Sequence, residues 1–262
     1  MKWYRVQAVI LRHLYESRRN LDRIADTVYW PVMDIVMWGL FTIYLSRGTG
    51  ARPGLVTFLM GAIILWNLFR CFQRDMAIGF LSEVWSKNLA NLFSTPLTVG
   101  EYLTGLVLVN LLKGIIGMIA ASAVAWLCYA YDIFPMLPRL LPFMLNLILF
   151  ALVVGVMTTG LILRFSTRIQ GLTYSIAGLL MPFSCVFYPV SALPRSLHPL
   201  AWALPTTHSF EGMREALAGR PVAMSHFGWG LALNAVYLTV AVFFFRRMFE
   251  AVRSRGLLVK VE

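Results

Sequence analysis

LLPFMLNLILFALVVGVMTTGLIL, residues 140–163, runs its whole length without an Asp, Glu, Lys or Arg. A helix needs about 20 such residues to cross the hydrocarbon of a bilayer, and this stretch has them to spare. Five more apolar stretches flank it, at 28–45, 55–72, 103–127, 172–190 and 227–245. With 59% hydrophobic against 13% charged residues and a mean hydropathy of +0.71, neither a soluble domain nor a disordered chain fits. The stretches are too long and too evenly apolar for the alternating strands of a membrane barrel, and backbone groups in lipid must bond internally. The expected fold is all-α: a polytopic membrane protein with six transmembrane helices in one membrane domain over residues 1–262.

The net charge of +11 is distributed, not gathered. With six spans both termini share a side, and that side collects 16 Lys and Arg: six in residues 1–27, three in 70–102, two in 164–171 and five in the 246–262 tail. The other side receives Arg47, Arg52, Arg139, Arg195, Arg214 and Arg220. The positive-inside rule puts both ends in the cytosol. The same division argues against a nucleic-acid partner, because no soluble module concentrates the charge. Residues 1–27 hold no short apolar core with a cleavage site, so no signal peptide is expected to be removed. Within them Val6, Val9, Ile10, Leu14, Leu21 and Ile24 recur at helical spacing among arginines, the pattern of an amphipathic helix lying on the membrane surface. A basic tail that only fixes topology is the alternative.

Two connections are too apolar to be loops. FLSEVWSKNLANLFSTPLTVGEYLTG, residues 80–105, spaces Leu81, Val84, Trp85, Leu89, Leu92 and Phe93 as an amphipathic helix before Thr95-Pro96 stops it. Its apolar face needs a covering, whether the rest of the chain, the headgroups or a grooved partner protein. On the opposite side, FYPVSALPRSLHPLAWALPTTHSFEGMREALAGRP, residues 187–221, is broken by Pro189, Pro194, Pro199 and Pro205, and carries Ala201, Trp202 and Leu204. The expectation for 191–226 is a pair of short re-entrant helices dipping into the outer leaflet under protein cover. Thr206 or Thr207 would cap the second, placing His208, Glu211 and Arg214 at three-residue intervals on one broad face.

These two segments resemble the ABC-2 type transporter permeases, the membrane halves of a class of ATP-driven exporters. Glu83, Thr95-Pro96-Leu97 and Glu101 match the family's acid, helix and Ser/Thr-Pro-Leu step into the third span, although Lys87-Asn88 and Ala90 stand where many members carry a Gly-Thr pair and an acid. Tyr188-Pro189-Val190-Ser191, Leu193-Pro194 and the Pro205, His208, Glu211, Arg214 series match its extracytoplasmic motif. The resemblance implies that residues 81–95 form the coupling helix seated in an ATPase, through Glu83, Trp85, Lys87, Leu89, Leu92, Phe93 and Pro96. It implies an extracytoplasmic gate built from Tyr188, Pro189, Pro194, Pro205, His208, Glu211 and Arg214. It further implies a homodimer carrying two ABC ATPase subunits, which bind the ATP and Mg, in the cell membrane, for a bacterium the inner one. The substrate would be an amphiphile such as a lipid-linked glycan, a glycolipid or a drug-like molecule.

Asp34 in the first span and Lys113 in the third each cost roughly 2.5 to 3.5 kcal/mol at mid-membrane unless paired or wet, which makes them candidate partners of each other and, with Tyr29 and Trp30, candidates to line a translocation path. Gly117, Ala121 and Ala125 form a small-residue stripe for close helix packing, within the subunit or at a dimer seam. Cys71, Cys128 and Cys185 are scattered and build no metal site or disulfide framework. No GxxxxGK[ST] loop, HExxH or GxSxG occurs, so no cofactor or catalytic residue is expected in this chain. A lipid-modifying membrane enzyme using His208 and Glu211, and a channel lined by Asp34 and Lys113, are the two rival readings.

Overall fold

In the computed structural model, which describes residues 1–49, 53–219 and 223–254, every regular element is helical and no strand occurs among the described residues. Arg52 and Arg220, and Arg255 and Lys260 of the tail, lie outside them, as does the side chain of Arg47. Helix α1 (Trp3–Arg19) is amphipathic, burying Val6, Val9 and His13 and ending on the basic pair Arg18-Arg19, which suits the negative end of a helix dipole. A short α2 (Leu21–Ile24) and a π-turn (Ala25–Tyr29) lead without interruption into α3 (Trp30–Thr49). Pro31 accounts for the π-turn, because it has no N–H to return to the carbonyl of Thr27.

That carbonyl faces α6 (Val99–Tyr129), where a Cβ on Gly117 would stand 2.7 Å from the Thr27 oxygen. Gly117, Ala121 and Ala125 are all buried in the chain's own packing, so the small-residue stripe serves the α3–α6 crossing. Because the obstacle is backbone, Gly117→Ala forces the two helices apart. It is expected to destabilise the protein by about 1–3 kcal/mol, read as a lowered thermal midpoint in detergent. An unchanged midpoint would show that the crossing relaxes freely.

Helix α4 (Pro53–Trp85) has 33 residues, about 50 Å, well beyond the about 30 Å of hydrocarbon. It contains the expected 55–72 span and runs on through Arg74, Asp75 and Glu83. Its end corrects the expectation of one helix over 81–95. The chain breaks at 86–88, with Lys87 in the left-handed region at φ 53°, and a separate six-residue α5 (Leu89–Ser94) follows. The Asn88 N–H bonds the Glu83 carbonyl and the Lys87 N–H bonds Val84, both at 3.0 Å, which closes α4 with the reverse turn usually given to glycine. Thr98 and Glu101 form a reciprocal capping box that starts α6.

Helix α7 (Leu137–Phe165) is the buried centre, flanked by α4, by α10 (Pro205–Leu217) and by α11 (Met224–Ser254). Trp66 stacks on Phe69 and Phe69 on Phe150, with Tyr237 from α11 against the same ring, tying three long helices together. Among the described residues three helices are long and apolar enough to cross a membrane: Val99–Tyr129, Phe134–Phe165 and Met224–Val252.

The 172–190 stretch departs furthest from expectation. Only α8 (Gln170–Leu180), 11 residues or about 16 Å, is helical. From Met181 to Tyr188 the chain turns without regular structure. Pro182 cannot donate the next helical bond and Cys185 adopts φ 52°, so the apolar sequence leaves the helix halfway. Short turns at Val190–Ala192 and Arg195–Leu197 precede α9 (His198–Trp202) and α10.

Candidate functional site

The break between α4 and α6 is held from outside by α1. Arg12 Nη2 stands 2.8 Å from both carboxylate oxygens of Glu83, and Asn88 Nδ2 donates to the same group at 2.7 Å. Glu83 is only 1% exposed. One helical turn-pair earlier on α1, Arg5 donates to the Pro96 carbonyl and lies 3.4 Å from Glu101, which also accepts the Lys2 backbone N–H at 2.6 Å. Arg5 and Arg12 are seven residues apart and so share a face of α1. One grips each end of the 86–98 segment. Between them lies a cleft of about 310 Å³ walled by Ala8 and Val9 on one side and Leu92, Thr95 and Leu97 on the other.

The expected coupling residues therefore divide. Trp85, 50% exposed, and Lys87 and Pro96 face outward. Glu83 and Leu92 face α1 and the core. Leu89 and Phe93 lie in α5, their side chains outside the described ones. Arg5 and Arg12 carry the arrangement and were read from sequence only as part of a basic helix; their seven-residue spacing opposite Glu83 and Glu101 was the available signal.

At the other end, Arg214 supplies what the unwound part of 172–190 lacks. Its guanidinium donates to the carbonyls of Cys185, Tyr188 (2.6 Å) and Val186 (3.4 Å), and packs over the Phe58 ring at 4.9 Å. Glu211 braces it at 3.0 Å and accepts the Val190 N–H at 2.8 Å. Irregular backbone at membrane depth is tolerated only when protein satisfies it, and this pair satisfies four backbone groups. Tyr188 closes the turn through its hydroxyl, which donates to the Pro182 carbonyl at 2.6 Å.

The capping expectation is corrected here. Leu204 is the residue before α10 and caps nothing by side chain, Pro205 opens the helix, and the threonines reach back to the turn. Thr206 bonds Ser184 Oγ at 2.8 Å and Thr207 the Phe183 carbonyl at 3.1 Å. His208 also parts company with Glu211 and Arg214. It is 7% exposed, bonds the Trp202 carbonyl at 3.0 Å, and packs against the Trp202 and His226 rings at 5.0 and 5.8 Å. Burial holds its pKa below the ordinary imidazole value. Pro189 and Pro194 lie exposed on the hairpin's outer side.

The candidate path residues are not one group. Asp34 is paired with Arg70, which also reaches Asn67 at 2.6 Å, so Lys113 is not its partner. Arg70 comes from α4, the helix packed on the face of α3 that carries Asp34. Lys113 instead borders a cavity of about 20 Å³, room for about one water, with His13, Arg23, Asp26, Asp75 and Asn110. Tyr29 and Trp30 meet edge to face at 5.4 Å and are about half exposed. Among the described residues no cluster of His, Cys, Asp or Glu is arranged to hold a metal ion.

The chain thus joins a strapped break after a long helix to a hairpin pinned by a Glu-Arg pair. The family model described as ABC-2 type transporter matches residues 9–218. The chain belongs to that family. The match begins within α1 and ends just past α10, so the Arg12–Glu83 contact and the pinned hairpin of this ABC-2 permease domain fall inside it, while Arg5 and Lys2 precede it. No curated protein matches the sequence.

Proposed function

We propose that this permease domain is half of an ATP-driven exporter, in which two copies form a homodimer around a central path and each copy carries one ABC ATPase subunit. The exposed Trp85-Lys87 turn together with α5 and Pro96 is the docking element, and the observation that carries this reading is the double strap. A surface held at both ends by Arg12–Glu83 and Arg5–Glu101 can pass a push from a bound motor to α1, α4 and α6 together. ATP and Mg are bound by the motor. All of 1–262 acts as one membrane domain, with both termini cytoplasmic, in the cell membrane and for a bacterium the inner one. The pair of helices α9 and α10 with the Arg214-pinned turn forms a re-entrant gate on the far side, and the cargo is an amphiphile moved from the cytoplasm or inner leaflet.

Co-expression of the tagged full chain with each ABC ATPase of its own genome tests this. The wild type is expected to retain the ATPase through purification, and Trp85→Asp to reduce retention at least tenfold with an unchanged thermal midpoint, since Trp85 is half exposed. ATPase retention equal in both proteins would remove the docking assignment. Lipid turnover or ion conductance by the chain alone would favour the enzyme or channel reading instead.

A further inference from the structure

An apolar cleft of about 290 Å³ opens between α6, α7 and α11 at the ends of α6 and α11 that bear Val99 and Phe249, next to the strap residue Glu101 along α6 and apart from the pinned hairpin and the Asp34–Arg70 pair. Leu103, Val156, Val242, Phe245 and Phe249 form its walls. On the α6 side Gly100 leaves it open, for a Cβ there would meet nothing within 4 Å. At its rim stand Arg246 and Glu250, one turn apart on α11, both exposed. Neither has a hydrogen-bond or ion-pair partner among the described residues, and they do not pair with each other. Their order explains that: a cation placed N-terminal to an acid at this spacing is the less favourable arrangement.

We infer that this cleft holds one phospholipid with an ethanolamine headgroup, its tail between the three helices, its phosphate on Arg246 and its ammonium on Glu250. The charge pattern makes the choice. At the rim one cation and one carboxylate, each without a partner among the described residues, complement a zwitterion, whereas an anionic headgroup would engage Arg246 alone. The carboxylate further separates ethanolamine from choline, because a primary ammonium has three N–H donors and a quaternary one has none. From Val242 to Glu250 the cleft follows eight residues of α11, about 12 Å, a depth reached by a chain whose headgroup sits at the rim. The inference rests on the membrane reading above, with this rim at the inner headgroup level.

The test is native mass spectrometry of the full chain, purified in detergent and incubated with an equimolar mixture of dioleoyl-phosphatidylethanolamine, -phosphatidylcholine and -phosphatidylglycerol. One ethanolamine lipid per chain is expected to survive, at least fivefold over either competitor. Gly100→Leu puts a side chain into the cleft at a helical position with room for it, so the protein should fold normally and lose that lipid at least fivefold. Glu250→Lys should turn the preference to phosphatidylglycerol. Equal retention of the three headgroups by the wild type, or an unchanged lipid count in Gly100→Leu, would overturn the site. A dimer-to-monomer change in Gly100→Leu would give the cleft to a second copy and equally overturn it. ATPase retention is read separately and responds to Trp85, so the two proposals fail independently.

Discussion

Arg214→Ala should leave the protein without a stable outer hairpin, lowering the thermal midpoint in detergent by about 10 °C or abolishing the cooperative transition. The size follows from what the guanidinium holds. Three carbonyls from residues 185, 186 and 188 and the carboxylate of Glu211 converge on it, and the side chain is only 16% exposed. Breaking a buried network from one side leaves every partner desolvated, at about 3–5 kcal/mol, with each orphaned carbonyl alone costing about 1–3 kcal/mol. Arg214→Lys should recover only part, because an ammonium is a point charge and cannot fork across three acceptors. Glu211→Gln should be milder, about 1 kcal/mol, since the amide oxygen can still accept the Val190 N–H. Hydrogen exchange supplies the local readout: the amides of 184–193 should lose protection in Arg214→Ala before the rest of the chain does. A variant that melts like the wild type would mean that the turn is held by the Thr206–Ser184 and Thr207–Phe183 bonds instead.

The same hairpin shows where reading the sequence stops. Residues 103–127, 140–163 and 227–245 were legible as helices because length and apolarity are local properties, and each lies inside a helix of the structure. Residues 172–190 are as apolar, yet half of them unwind. Pro182 and Pro189 permit this, but what makes it affordable is a guanidinium arriving 26 to 29 positions later, a contact invisible to any window. The 81–95 helix failed for a different reason. Leu81 to Phe93 keep helical spacing straight across the break, and the residue that takes the left-handed turn is a lysine, which carries no turn signal. Asp34 was read as needing either a partner or water, with Lys113 as the candidate; that the partner is Arg70 depends on how α3 and α4 are rotated against each other, which spacing along one helix does not contain. The candidate coupling set was read as belonging to one helix over 81–95, with Pro96 just after it. Once the helix breaks, its members separate into outward Trp85, Lys87 and Pro96 and inward Glu83 and Leu92.

The inward pair Arg12–Glu83 carries the second large effect, and its two halves should behave unequally. Arg12 has a side chain 44% exposed, and Glu83 one at 1%. Removing the acid lets Arg12 turn to water, so Glu83→Gln should cost about 1 kcal/mol. Removing the cation strands a buried carboxylate with Asn88 as its remaining side-chain donor, and Arg12→Ala should cost about 3 kcal/mol. Combining the two substitutions removes the stranded charge, so the double variant should regain most of the lost stability. Coupling should not return with it. If α1 transmits the motor's push through this contact, Arg12→Ala/Glu83→Gln binds the ATPase normally through Trp85 but moves substrate at least tenfold more slowly per ATP hydrolysed. Arg12→Glu/Glu83→Arg, which rebuilds the bridge with its ends exchanged, should recover transport in part. A double variant as stable as the wild type and equally well coupled would reduce the strap to a structural brace and leave the push to travel through α4 and α6 alone.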